Sequence, residues 1–186
     1  MPDGSKSHST VRPLDRDKMP VLSKEEIASV MKVLDDCSDA ALARYALIGG
    51  ALFTFLDIDY DTRDVDVAAD RYLDGYGIWP NKKAMPRSTS KLAGHYLVDG
   101  VCVDWMTEGA VGSEPLYRAA LDGAYLKDGI WCATIEHAMA IRIYAGREKD
   151  LKAFWRFQKD GLVNGELVVE MVKELTGRDL SKWLAT

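Results

Sequence analysis

The sequence predicts an α+β fold: a small mixed β-sheet flanked by helices, with a C-terminal helical segment. Three observations carry this. Short apolar or alternating runs, the mark of strands, occur at residues 46–48, 64–67, 95–98 and 101–105. Apolar residues at helical spacing lie before and after them. Asp99-Gly100 separates two alternating runs, a strong hairpin signal, and residues 125–132 read as a second hairpin with a short turn.

In chain order, residues 1–20 are polar and contain three prolines, which predicts a mobile tail. Residues 21–133 form the expected core, and residues 134–186 the expected C-terminal helices packed on it. Ser23 followed by Glu26 is a capping box, and Ile27, Val30, Met31 and Leu34 give the helix one apolar side. Residues 35–44 extend that helix toward the first strand. Residues 70–77 read as a short helix or an irregular link. Residues 81–91 are basic and rich in hydroxyls, a loop that is either plainly solvated or a contact for phosphate or an acceptor. Thr134 caps a later helix through Ile135, Ala138, Met139, Ile141 and Ile143. Leu162, Val168, Val169, Met171, Val172 and Leu175 form a last apolar stripe, which reads as core.

The chain is organised around residues 45–70. Ala46, Leu47 and Ile48 make a buried strand that ends at Gly49-Gly50, a pair that allows a tight turn and close approach to a ligand. A helix from Ala51 would point its free N–H groups back at the glycines, an arrangement suited to phosphate. In the next strand the period of two puts Asp64 and Asp66 on one face and Val65 and Val67 on the other. Two adjacent carboxylates repel unless a cation lies between them, and Mg²⁺ commonly joins carboxylates to substrate phosphates. Asp104 shares a strand face with Cys102, opposite Val101, Val103 and Trp105. An unpaired acid in so apolar a strand is costly, which is explained if Asp104 faces the same metal. Arg63 lies at the mouth of this site, either steadying the acids or touching phosphate. Asp57, Asp59 and Asp61 read as turn residues, with an extra cation site as the alternative.

The order of strand, Gly-Gly, helix, Asp-x-Asp, hairpin and strand Asp resembles the DNA polymerase β-like nucleotidyltransferase superfamily. The resemblance implies that Gly49 and Gly50 hold a triphosphate, while Asp64, Asp66 and Asp104 hold two Mg²⁺ ions, with Mn²⁺ as a substitute. A second resemblance covers residues 134–157 and is to the minimal AbiEii-like nucleotidyltransferases, which include toxins of type IV toxin–antitoxin pairs. Arg147, Lys149 and Asp150 match that family's motif, whereas Arg142 stands where the family has a lysine. Arginine keeps a charge for phosphate but cannot act as a base. The resemblance implies nucleotide binding at Arg142, Lys149 and Asp150. A surface salt bridge among Arg147, Lys149 and Asp150 is the alternative. The implied activity is transfer of a nucleoside monophosphate from an NTP to a tRNA, protein or small-molecule hydroxyl, with a cognate antitoxin or toxin as a further partner. The rival readings are a non-catalytic, antitoxin-like binding module and an aminoglycoside-type enzyme.

Composition narrows the classes further. Hydrophobic residues make up 47% of the 186 and charged residues 28%, ordinary for one globular domain. A net charge of −5 argues against non-specific duplex DNA binding. No run is long and apolar enough for a membrane span. The scattered Cys37, Cys102 and Cys132, with no export signal, lead us to expect reduced thiols in the cytoplasm.

Overall fold

The computed structural model describes residues 18–73, 94–107 and 114–184. The expectations for the tail up to residue 17, for residues 74–77 and for the basic loop 81–91 lie outside those residues. The architecture is mixed, as expected. Six helices flank a six-stranded open sheet among the described residues.

The chain enters through helix α1 (Lys24–Ala41), which begins with the expected capping box at Ser23 and Glu26 and ends at Leu42 with φ 53°. Residues 35–41 continue α1 as one helix, burying Ile27, Val30, Met31, Leu34 and Cys37. Strand β1 (Tyr45–Ile48) is buried throughout. Helix α2 (Gly49–Phe55) follows at once, so the helix starts at the first glycine rather than at Ala51. Strands β2 (Asp64–Ala69), β3 (Gly94–Val98) and β4 (Val101–Thr107) come next. Helix α3 (Glu114–Asp122) leads to the short strands β5 (Tyr125–Lys127) and β6 (Ile130–Cys132). Helices α4 (Ile135–Ala145), α5 (Glu148–Lys159) and α6 (Gly165–Thr176) close the chain, before a 3-10 turn at Ser181–Trp183.

The sheet order is β3-β4-β2-β1-β6-β5. Both expected hairpins form: β3 pairs antiparallel with β4, and β5 with β6. Each turn has positive φ at both central residues, Asp99 (48°) and Gly100 (87°) in one, Asp128 (50°) and Gly129 (82°) in the other. That twist matches the flanking strands, which is why Asp-Gly serves there. The pairing that matters for the site is between strands distant in sequence. β2 runs antiparallel to β1 and parallel to β4, which brings Asp66 opposite Asp104 and Asp64 opposite Cys102.

One continuous core lies beneath this sheet. Val65, Val67, Val103 and Trp105 are fully buried on the β2 and β4 side that faces away from the acids. Phe53 of α2 meets Phe157 of α5 edge-on, with ring centroids 4.7 Å apart, and Tyr60 completes the cluster. This is how the C-terminal helices are fixed against the strand end that carries the glycines. None of the described helices is long and apolar enough to cross a membrane.

His137 lies in the first turn of α4, where Thr134 caps the helix and its hydroxyl is 2.8 Å from His137 Nδ1. Burial lowers its pKa from the usual 6.5, against a smaller opposing pull from Glu136. A base whose folded pKa is lowered stabilises fully above its unfolded value and loses that contribution as pH falls toward the folded value. Stability should therefore decline from about pH 6.5 downward, before carboxylates titrate. His137→Gln should flatten that part of a urea-midpoint-versus-pH profile. Phe157→Ala should cost about 3–5 kcal/mol in the same assay, the usual price of emptying a buried aromatic site.

Candidate active site

Asp64 and Asp66 project from β2, and Asp104 from β4, on the face opposite the core valines. All three are half-buried, and one oxygen from each lies within 4.8 Å of the others. The parallel register does this: matching positions on neighbouring strands put their side chains side by side. Thr62, itself buried, donates from its hydroxyl to the Asp64 carbonyl at 3.0 Å and lies 3.5 Å from the Asp64 carboxylate.

Gly49 has φ 68°, and a Cβ built there would lie 2.1 Å from Asp66 Oδ2. The first glycine therefore makes room for a carboxylate as well as for a turn. At Gly50 an added Cβ would meet the Thr62 hydroxyl at 2.8 Å. Gly49 is packed against Asp66 and Gly50 against Thr62 and Tyr60, so a side chain at either position would force its neighbours to shift. The start of α2 has no side-chain cap, since its N-cap is Ile48.

A cleft of about 700 Å³ opens over the triad. On the strand side its wall includes Gly49, Gly50, Arg63, Asp64, Asp66 and Asp104. Arg142, Arg147 and Lys149 line it from the α4–α5 side, with Ile141, Tyr144 and Tyr117 adding apolar surface. The structure thus brings eight of the nine sequence-predicted site residues to one cavity.

The ninth, Asp150, is elsewhere. It is fully buried in the first turn of α5 and does not line the cleft. Its Oδ1 accepts from Arg142 Nη2 at 2.8 Å and from Arg147 Nη2 at 3.3 Å, while Oδ2 accepts from Arg147 Nε. Of the salt bridge read among Arg147, Lys149 and Asp150, the Arg147–Asp150 pair forms; its carboxylate is buried while Arg147 stays 57% exposed, and Arg142 shares that carboxylate. Two guanidiniums and a helix N-terminus together make a buried carboxylate tolerable. Arg142 is 7% exposed and also donates to the Tyr60 hydroxyl. Its Nε has no partner among the described residues, and a buried donor left unpaired costs roughly 1–3 kcal/mol. Burial pulls the Arg147 pKa down, but the Asp150 hydrogen bond and the negative charges of Asp150 and Asp66 outweigh this, and the net shift is upward. Arg147 thus feels the Asp66 charge across the cleft.

Tyr60, missed at the level of sequence, holds the two sides together. Its ring lies 5.1 Å from the Arg142 guanidinium and 5.8 Å from that of Arg156. Its carbonyl accepts from Thr54, and Arg156 grips the neighbouring Asp59 carbonyl. Of the acidic loop, Asp57 lies in the expected turn, with φ 61°, and pairs with Lys24 at 2.6 Å, whereas Asp59 and Asp61 lie in irregular chain.

The fold has a counterpart among solved structures. An antigenic nucleotidyltransferase-like protein from Paracoccidioides brasiliensis superposes with a TM-score of 0.50 at 17% identity, over 89% of this chain and 88% of that one. The chain has a nucleotidyltransferase-like fold. A proposed nucleotidyltransferase from Thermotoga maritima superposes with a TM-score of 0.45 at 14% identity, over 75% of this chain and 97% of that one. No family model and no curated protein matches the sequence.

Gly49→Ala tests the packing of glycine against acid. An alanine at positive φ is strained by roughly 1–2 kcal/mol, and its methyl would have to displace Asp66. Binding of Mn²⁺, followed by electron paramagnetic resonance, should weaken by more than tenfold, while Gly100→Ala, whose Cβ would meet nothing within 4 Å, leaves it unchanged.

Proposed function

We propose that this protein is a metal-dependent nucleotidyltransferase that moves a nucleoside monophosphate from an NTP to an acceptor hydroxyl. The observation that supports it best is the set of three carboxylates from adjacent strands, within 4.8 Å of one another and packed against a glycine turn. An all-carboxylate donor set suits a hard cation, Mg²⁺ or Mn²⁺, better than a soft one. Like charges this close repel, and a cation among them relieves the repulsion. The residues present therefore fit one or two such ions, held by Asp64, Asp66 and Asp104. Bound there, the metal would supply Lewis-acid stabilisation of phosphoryl charge and acidify a hydroxyl.

The chain's own groups would do the rest. Gly49 and Gly50 let the main chain approach the β and γ phosphates. Arg63, Arg142 and Lys149, joined by Arg147, give the cleft positive charge to hold the polyphosphate. Asp104 would take the proton of the attacking hydroxyl as pyrophosphate departs in line. The Arg147, Lys149 and Asp150 run supports a toxin of the AbiEii-like type, with a tRNA, protein or small molecule as acceptor and a cognate antitoxin as partner.

Incubation of the protein and a cell extract with each α-labelled NTP and Mg²⁺ tests the reading. One acceptor band should acquire label, and chelation by EDTA should abolish it. Asp64→Asn should lower the transfer rate at least about a hundredfold, equivalent to ~3 kcal/mol of transition-state stabilisation, with an unchanged melting curve. Labelling at the native rate by that variant would overturn the mechanism.

A further inference from the structure

The α4–α5 joint carries a charge arrangement that nucleotide transfer by itself does not explain. A carboxylate with no solvent exposure is shared by two guanidiniums, one buried with it and one 57% exposed toward the cleft. Asp150 cannot touch a ligand from there. What it does is fix two flexible arginines in one arrangement: Arg142 through one oxygen, and Arg147 through both. The Tyr60 hydroxyl, from the loop before β2, holds Arg142 from a second direction. With one negative charge between two positive ones, the joint keeps a net positive charge. Arg142, Arg147 and Lys149 present it to the cavity that contains the acids.

We infer that Asp150 and Tyr60 are positioning residues for a polyphosphate subsite made of Arg142, Arg147 and Lys149. The ligand class, the phosphate tail of an NTP, rests on the nucleotidyltransferase reading; the pre-organisation of the arginines does not. An arginine already held in place loses less freedom when an anion binds, so affinity rises without any added contact.

This role has a sign that simple electrostatics lacks. Deleting a carboxylate from an anion site removes repulsion and should tighten binding. If Asp150 acts by holding the arginines, deleting its charge weakens binding. The test is calorimetric titration of the full chain with inorganic tripolyphosphate in excess Mg²⁺. The native protein should bind. Asp150→Asn should bind on the order of tenfold more weakly, the loss typical of removing a group that orients a ligating residue. Because a buried ion pair is broken, this variant loses stability. Tyr60→Phe changes no charge, keeps the fold and should weaken binding several-fold. The inference is overturned if the native protein does not bind tripolyphosphate, or if folded Asp150→Asn binds as well or better. If Asp150→Asn does not fold, unchanged affinity in Tyr60→Phe overturns it. Binding that follows this pattern without transfer of label to any acceptor would reject the enzymatic activity and leave the subsite standing.

Discussion

Mutual repulsion among Asp64, Asp66 and Asp104 is the constraint around which this molecule is built. Three carboxylates within 4.8 Å must be held together by something stronger than their tendency to part. The sheet supplies it. The acids are fixed by the register of β2 against β4, and the opposite faces of those strands are anchored by Val65, Val67, Val103 and Trp105, none of which is exposed to solvent. Burial of those side chains is worth roughly 1.5–3 kcal/mol each. That energy holds the strands in the one register that aligns the acids. Slippage by a single residue would turn Asp66 into the core and Val65 out of it, so fold and site are specified by the same pattern.

The helical side of the cleft solves a complementary problem. Arginines are long and lose much freedom when ordered. Here the order comes from a buried acceptor placed in the first turn of α5, next to a joint at which Gly146 (φ 70°) ends α4. The strand side reaches the same network through Tyr60, which contacts Phe53, Phe157 and Arg142. Aromatic packing and the arginine hydrogen bonds thus meet at one residue.

Much of this was legible in the sequence wherever the signal is local. The helix caps at Ser23 and Thr134, both hairpins, and the common face of Asp64 and Asp66 follow from spacing alone. Asp104 stands out because an acid in an apolar strand needs a reason. What could not be read depends on distant pairs. The Tyr60–Arg142 contact joins residues 82 apart in sequence, and an aromatic inside an acidic loop gives no hint of it. The placement of Asp150 is hidden from the sequence because Arg-x-Lys-Asp is a polar string that looks exposed on one helix, whereas Arg142 of α4 covers it. At the level of sequence Gly49 only frees the backbone. Its contact with Asp66 is across strands and leaves no mark in the local sequence.

The wall of the cleft carries as many cations, Arg63, Arg142, Arg147 and Lys149, as carboxylates, Asp61, Asp64, Asp66 and Asp104, among the described residues. Its far field is therefore weak, while its near field is that of a dipole with its positive pole on the helices. Such a cavity sorts visitors by internal asymmetry. A bare polyanion meets repulsion over half its length, and so does a bare cation. A compact chelate with a metal at one end and oxygen charge at the other can satisfy both poles at once, in one orientation only.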